Sequence, residues 1–291
     1  MAIPRRLKRQ AGRHALVDQI PFVMPVDGAK TPALMAAFTI DAAKAAELLP
    51  GNELHPYRIW GRRGLLIISV MNYRVTDIGK YVEFSVGIAC TRGPKPAMRL
   101  LPGAFRRLFG FGQYVLDLPV SSEVSVKGGK GIWGMPKHQA NLDFVVGENT
   151  VSSTYDKDGV FALKIEVERP KRTWLPLKLS ASNYCRFRGM LMKSTVYFDG
   201  KVGFSLFRKG AATLTIGDHP RAQPLKGLDI SEGPIFASFL PDVTGLLDDH
   251  QESWFLSEEQ PPKSSGEGME SVINLGQSQD WLEPPSAGAG T

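Results

Sequence analysis

The sequence is poor in cysteine and lacks long hydrophobic runs. Only two of its 291 residues are cysteine, Cys90 and Cys185, which is too few for a disulfide framework. Both have apolar or aromatic neighbours, so we expect buried, reduced thiols and a cytoplasmic location. No apolar run reaches the roughly 18 to 20 residues that a membrane-spanning helix requires, and the first residues do not resemble a secretory signal.

Several common kinds of functional site are also missing from the sequence. None of the five histidines has a partner at metal-ligand spacing, so no metal site is predicted. There is no Gly-x-Ser-x-Gly elbow of the kind that carries the nucleophile of α/β-hydrolases. Gly129-x-Gly131-x-x-Gly134 matches the dinucleotide-binding pattern, but Pro136 follows where that pattern requires a helix to begin. We therefore predict no dinucleotide cofactor.

The formal net charge of +6 is concentrated near the N-terminus. Five basic residues precede the first acid, Asp18, and they are Arg5, Arg6, Lys8, Arg9 and Arg13. No aromatic side chains alternate with them, so we interpret this arm as solvated rather than as a nucleic-acid-binding segment. We expect an N-terminal arm and lead-in over residues 1–29, a folded domain over 30–256, and a disordered tail rich in Glu, Pro, Ser and Gly over 257–291.

The sequence favours a mainly β (α+β) protein. One helix is predicted over residues 42–49, with Asp41 as its N-cap and Pro50-Gly51 at its end. Strands are predicted over 64–71, 81–88, 113–118, 140–146, 150–155, 160–167, 194–198, 201–207 and 211–216, and Asp199-Gly200 is predicted to be a turn. Strands that do not alternate with helices indicate an antiparallel sheet or barrel rather than a doubly wound sheet.

Residues 97–112 form a basic and amphipathic segment. We expect a broken helix that packs its Leu and Phe side chains on the barrel. Contact with a membrane surface or a neighbouring subunit is the alternative.

The most informative residue for chemistry is Lys137, which directly follows Pro136. We expect a glycine-rich turn before it, and Trp133 and Met135 close to its amine. Apolar surroundings disfavour the charged ammonium form, so a lysine held in this way can act as a nucleophile. The alternative is an ordinary surface lysine after a turn.

The same segment resembles the Gly-Arg-Glu-x-x-Gly-Tyr-Pro-Lys signature of the acetoacetate decarboxylase family; it reads Gly129-Lys130-Gly131-Ile132-Trp133-Gly134-Met135-Pro136-Lys137. Upstream, Ile78-Gly79-Lys80-Tyr81-Val82-Glu83 resembles the Gly-x-Tyr-x-Glu segment of that family. The spacing between the two segments suits the family if residues 97–112 are an insertion. The resemblance covers roughly residues 30–255.

This resemblance implies a closed, cone-like antiparallel β-barrel with a few peripheral helices, assembled as a homo-oligomer. It also implies Schiff-base chemistry on a keto acid, in which the Lys137 amine attacks the ketone and Glu83 assists proton transfer. Because the iminium itself withdraws electrons, no metal or organic cofactor is required.

The chain departs from the family pattern at residues that would handle the substrate. His138 stands where the family has a second lysine, Gly131 where it has glutamate, and Lys130 where it has arginine. Ile68 takes the place of another active-site carboxylate, and the family's N-terminal substrate-binding arginine has no secure match. These changes suggest a different substrate, larger or less acidic than acetoacetate.

The leading hypothesis is therefore an acetoacetate-decarboxylase-like lyase that acts on a keto acid or related carbonyl compound. Lys137 would be the nucleophile, with Glu83 and His138 as assisting groups. Trp133, Met135 and Ile68 would line an apolar substrate pocket. A second hypothesis is a non-catalytic barrel that holds a small hydrophobic molecule, docked to a membrane through residues 97–112 or the basic arm. A nucleic-acid-associated protein, which rests on the high pI alone, ranks last.

Overall fold

The structure is a computed structural model that describes residues 5–172, 175–248 and 252–257. The tail predicted over residues 257–291 lies outside these ranges except for its first residue. Within the described ranges, no helix is long and apolar enough to cross a membrane.

The described part of the chain is mainly β. Its helices are α1 (Arg5–Gln10), α2 (Ala42–Ala46), α3 (Leu101–Ala104), α4 (Glu123–Trp133) and α5 (Gln223–Lys226). Its strands are β1 (Arg13–Val17), β2 (Ile20–Met24), β3 (Val26–Asp41), β4 (Leu54–Pro56), β5 (Arg63–Tyr73), β6 (Val75–Thr76), β7 (Tyr81–Arg92), β8 (Gly112–Val120), β9 (Lys137–Gln139), β10 (Asn141–Leu142), β11 (Val145–Val146), β12 (Thr150–Lys157), β13 (Val160–Glu168), β14 (Leu175–Phe187), β15 (Met190–Leu206), β16 (Ala212–Ile216), β17 (Pro234–Leu247) and β18 (Glu252–Phe255).

Seven strands form a closed barrel. The order around it is β7, β5, β3, β17, β15, β14 and β8, and the pairing of β8 with β7 closes the ring. The predicted closed barrel is therefore confirmed. One pairing in the ring, between β14 and β8, is parallel, and the others are antiparallel. Strand β9 also pairs in parallel with β8, beyond the point where β14 leaves it.

A second sheet, of β10, β11, β12, β13 and β16, covers part of the outer wall of the barrel. The largest apolar core lies between this sheet and the wall. It contains Phe38, Ile68 and Phe84 from barrel strands and Tyr155 and Ile165 from the second sheet, all of them fully buried. Because side chains alternate along a strand, the other face of each barrel strand points into the barrel.

Several elements of the structure differ from the prediction. Residues 194–198 and 201–206 belong to one strand, β15. The expected turn at Asp199-Gly200 is part of this strand, whose pairing with β17 is irregular between Gly200 and Gly203. A side chain at position 200 would contact the backbone oxygen of Asp242 at 2.7 Å, so the glycine permits a close strand approach. The long strands β3, β14 and β17 were not predicted. The helix predicted from Asp41 is confirmed but ends at Ala46.

Residues 97–112 also differ from the expectation. Only the four residues of α3 are helical, and several apolar side chains of this segment are exposed rather than packed on the barrel. Leu100, Phe105 and Leu108 are exposed by 61%, 57% and 79%. Two other side chains of the segment, Arg106 and Phe111, reach into the barrel cavity described below.

Replacing Ile68 with alanine should destabilise the fold, because its side chain is fully buried in the core between the two sheets. We expect the free energy of unfolding to fall by about 2–5 kcal/mol, measured by urea denaturation. The control is Ile67→Ala on the same strand, which removes a partly buried side chain from the cavity wall. Equal losses for the two variants would contradict the assignment of the core to the outer face.

Candidate active site

Lys137 enters the wall of the barrel at one end. It is the first residue of β9 and pairs with Leu118 of β8 in the parallel register. Leu118 lines the barrel cavity. Strand β9 continues the barrel wall beside β8 beyond the end of the β14 pairing. Residues that pair across neighbouring strands face the same side, so the Lys137 side chain, like that of Leu118, faces inward. It is 3% exposed, which is unusual for lysine.

The glycine-rich segment before Lys137 is a helix rather than the predicted turn. Helix α4 extends to Trp133 and ends at Gly134, which has a left-handed φ of 64° and whose N–H donates to the carbonyls of Gly129 and Lys130. Such a glycine cap is a common helix end. The glycines therefore lie within the last turns of a helix, whereas a dinucleotide site requires them before its first turn.

The glycines inside α4 are explained by close tertiary contacts. A Cβ atom on Gly129 would lie 2.3 Å from Cδ of Lys137, so the lysine side chain crosses the helix against its bare backbone. Gly128 and Gly131 make similar approaches to Phe22 and Val17 of the β1–β2 hairpin. These contacts outweigh the cost of glycine in a helix, about 1 kcal/mol per residue.

The Lys137 amine has polar partners despite its burial. Its Nζ lies 2.7 Å from Oε2 of Glu83, and it donates to Oγ of Ser125 at 2.9 Å. The ring of Tyr81 is 5.5 Å from the amine, within the range of a cation–π contact. Burial, and then the charge of Glu83, raises the pKa of Tyr81 well above its ordinary value, so the phenol stays neutral. The predicted pair of Lys137 and Glu83 is thus in direct contact.

A continuous cavity runs through the barrel and ends beside this ion pair. All seven barrel strands contribute to its wall, as do Arg106 and Phe111. Near the ion pair the wall consists of Tyr81, Glu83, Leu118 and Met135. A molecule in the cavity would therefore reach the amine past the Glu83 carboxylate.

The structure separates the three residues predicted to line the substrate pocket. Met135 lines the cavity. Ile68 lies on the outer face of β5, in the core beneath the second sheet, because its neighbours Ile67 and Ser69 take the inward positions. Trp133 does not line the cavity but is buried behind its wall, in the same apolar cluster as Met135. Its indole N–H donates to the backbone oxygen of Asp248 at 2.5 Å.

His138 is not brought to the Lys137 amine. The two residues are consecutive on β9, so their side chains point to opposite faces. The His138 Nε2 lies 2.8 Å from Oδ1 of Asp117 and 3.3 Å from the hydroxyl of Tyr155. Tyr155 donates to the other oxygen of Asp117 at 3.1 Å. The predicted assisting group thus belongs to a buried network outside the barrel.

Reasoning from sequence missed three residues that the site contains. Ser125 and Tyr81 contact the amine, and Arg106 lies in the cavity wall. Tyr81 belongs to the Gly-x-Tyr-x-Glu resemblance and could have been chosen with Glu83. Ser125 has no comparable signal, because its role depends on α4 packing against β9.

Comparisons with known proteins agree with this geometry. Residues 9–250 match the family model described as acetoacetate decarboxylase (ADC). Among solved structures, the acetoacetate decarboxylase of Legionella pneumophila subsp. pneumophila str. Philadelphia 1 is 14% identical, with a TM-score of 0.57 over 79% of this chain and 88% of that one. The enduracididine biosynthesis enzyme MppR, complexed with pyruvate, is also 14% identical, with a TM-score of 0.54 over 81% and 91% of the two chains. At these identities the likeness establishes the fold. No curated protein matches the sequence of this chain.

A double-mutant cycle tests the close approach between Gly129 and Lys137. We expect Gly129→Ala to destabilise the protein by about 1–3 kcal/mol, because the new methyl group overlaps the lysine side chain. In the Lys137→Ala background the overlap is gone, and the same substitution should be neutral or stabilising by up to about 1 kcal/mol. Urea denaturation of the four proteins gives the coupling free energy.

The matched control for this cycle is Gly131→Ala. It lies in the same helix but meets Val17, so its cost should be the same with and without Lys137. If the cost of Gly129→Ala is also independent of Lys137, the lysine does not take the path described.

The Asp117–His138–Tyr155 network predicts a loss of stability at high pH. Burial, and then the charge of Asp117, raises the pKa of Tyr155 above its ordinary value. Above about pH 10 the unfolded chain loses the tyrosine proton that the folded protein keeps, so stability falls by about 1.4 kcal/mol per pH unit for this group. Tyr155→Phe should therefore flatten the decline, as measured by urea denaturation from about pH 9 to pH 11. An unchanged slope would contradict the assignment.

Proposed function

Because the chain belongs to the acetoacetate decarboxylase family, we propose that it is a lyase that acts on a keto acid or related carbonyl compound through a Schiff base on Lys137. The observation that carries this proposal is the position of the Lys137 amine. It is buried and lies 2.7 Å from the carboxylate of Glu83, which lines a cavity inside the barrel.

The first step requires a neutral amine. Glu83 Oε2 is close enough to accept a proton from the Lys137 ammonium, and the free amine then attacks the carbonyl carbon of a ketone in the cavity. The same carboxylic acid returns its proton to the carbinolamine hydroxyl, which leaves as water. A protonated iminium remains on Nζ, with Ser125 Oγ and the ring of Tyr81 beside it.

The iminium then accepts the electron pair released when a bond to the neighbouring carbon breaks. Loss of carbon dioxide, retro-aldol cleavage and loss of an α-proton before dehydration all use this intermediate. The resulting enamine becomes an iminium again, either by taking a proton on its carbon after loss of carbon dioxide or retro-aldol cleavage, or by expelling a β-hydroxyl group as water in the dehydration. Addition of water to this iminium releases the product and regenerates the amine. In each route Glu83 is the group positioned to move protons.

His138 takes a different role in this proposal from the one predicted. Its ring contacts Asp117 and Tyr155 rather than the amine. We therefore propose that His138 holds β9 in place and thereby fixes the position of the Lys137 backbone. The homo-oligomer and the cytoplasmic location remain predictions from the sequence.

The second candidate function is a non-catalytic barrel that binds a small hydrophobic molecule. Much of the cavity wall is apolar, and a further apolar cavity lies among Leu177, Phe198, Val202 and Leu240. This barrel would bind a hydrophobic probe without forming a covalent adduct. Covalent trapping separates the two functions.

Borohydride trapping tests the proposal. The protein is incubated with candidate keto acids, reduced, and analysed by intact mass and peptide mapping. We expect an adduct on Lys137, because reduction converts its iminium to a stable secondary amine. Glu83→Gln should slow adduct formation, because the amide cannot accept the ammonium proton.

Two lysine variants complete the trapping experiment. Lys137→Ala should abolish the adduct, whereas Lys130→Ala, on the neighbouring helix turn, should leave it unchanged. The proposal fails if no keto compound modifies Lys137 or if the Lys137→Ala protein keeps full turnover.

A further inference from the structure

The charges along the barrel cavity are unevenly distributed. Of the described residues that line it, only Asp27, Glu83 and Arg106 are charged. Glu83 is paired with Lys137. Asp27 lies at the same end. Its neighbour Gly28 is close to the ring of Tyr73, and this ring stacks on Tyr81, which lies beside the Lys137 amine. Arg106 is thus the one cation among the lining residues.

Arg106 lies at the other end of the cavity, beside Phe111, Gly112 and Gln113. Its guanidinium carbon is 5.2 Å from the centre of the Phe111 ring. Gln113 shows how far this end lies from Glu83 along β7. Its Oε1 lies 2.9 Å from the place that a Cβ atom on Gly87 would occupy, so Gln113 and Gly87 are at the same height in the barrel. Gly87 and Glu83 are four residues apart on β7, which separates the two ends by about 13 Å along the strand.

No carboxylate within residues 5–172, 175–248 and 252–257 pairs with Arg106. Burial lowers the pKa of its guanidinium. A partly buried charge normally has a partner or pays a cost of desolvation. An arginine at this position is well suited to a planar, bidentate anion such as a carboxylate.

Most of the wall along the strands between the two ends is apolar. Met35, Ile67 and Val115 face the cavity there, together with two hydroxyl side chains, Ser69 and Ser85. A ligand that reached from the amine to Arg106 would therefore need a hydrocarbon body. A carboxylate close to the ketone would instead lie beside the Lys137–Glu83 ion pair, out of reach of Arg106.

We propose that the cavity binds an elongated keto acid, with its ketone at Lys137, an apolar chain along the barrel, and its carboxylate on Arg106. This inference rests on the proposed function for the ketone end only. The carboxylate serves for binding and does not react. Arg106 belongs to residues 97–112, the segment between the two family-like motifs that we interpret as an insertion. On this interpretation the anion site is supplied by the inserted segment.

The experiment compares a long-chain keto acid with its uncharged ester. The probes are 10-oxoundecanoate and its methyl ester, with 4-oxopentanoate as a short acid, and dissociation constants are measured by calorimetry. The wild-type protein should bind the long acid at least about tenfold more tightly than the ester. Arg106→Gln should abolish that preference and leave ester binding within about twofold, and Arg106→Lys should retain part of it.

The neighbouring exposed residue provides the matched control. Arg107→Gln removes the same charge from the same segment and should not change the preference for the acid. If the wild-type protein binds acid and ester equally, or if Arg106→Gln weakens both alike, the carboxylate site is overturned. If 4-oxopentanoate gains as much from Arg106 as the long acid, the elongated binding mode is overturned.

Trapping of the uncharged ester keeps this test separate from the proposed function. The ester should form a borohydride-stable adduct on Lys137 in both the wild-type and the Arg106→Gln proteins. An adduct without any preference for the acid would support the Schiff base and reject the Arg106 site. A preference that depends on Arg106 without an adduct would support the site and reject the Schiff base.

Discussion

The site depends on one constraint, which is that a buried amine must have polar partners. Lys137 is almost wholly removed from solvent, and Glu83 and Ser125 provide its partners. Each comes from a different element, so the site forms only when β7, β9 and α4 are packed together. Loss of one member of a buried ion pair costs several kcal/mol. The contact between Lys137 and Glu83 therefore ties the chemistry of the site to the stability of this end of the barrel.

The barrel separates stability from binding by the alternation of side chains along its strands. The outward residues build the apolar core beneath the second sheet, and the inward residues surround the cavity. Ile68 and Ile67 show the division most clearly, since they are adjacent on β5 and serve opposite faces. Changes to the inward residues can consequently alter what the cavity binds without disturbing the main core.

The sequence was sufficient to predict the barrel and, through the family resemblance, the proximity of Lys137 and Glu83. It was not sufficient to place His138 and Ile68, because their directions follow from strand register, which short motifs do not reveal. The long strands β3 and β17 contain alanine, proline and glycine, which weaken any local strand signal. The glycines of α4 suggested a turn, but they are explained by tertiary contacts that the sequence does not show. They allow Lys137, Phe22 and Val17 to approach the helix backbone.

The central claim is that Lys137 reacts with a ketone held in the barrel cavity. A crystal structure of the protein after borohydride reduction with a keto acid tests it most directly. We predict electron density continuous with Lys137 Nζ, extending along the cavity, with Glu83 beside the new bond. Density for an unattached ligand in the cavity, with the amine still paired to Glu83, would contradict the claim and identify the protein as a binding barrel.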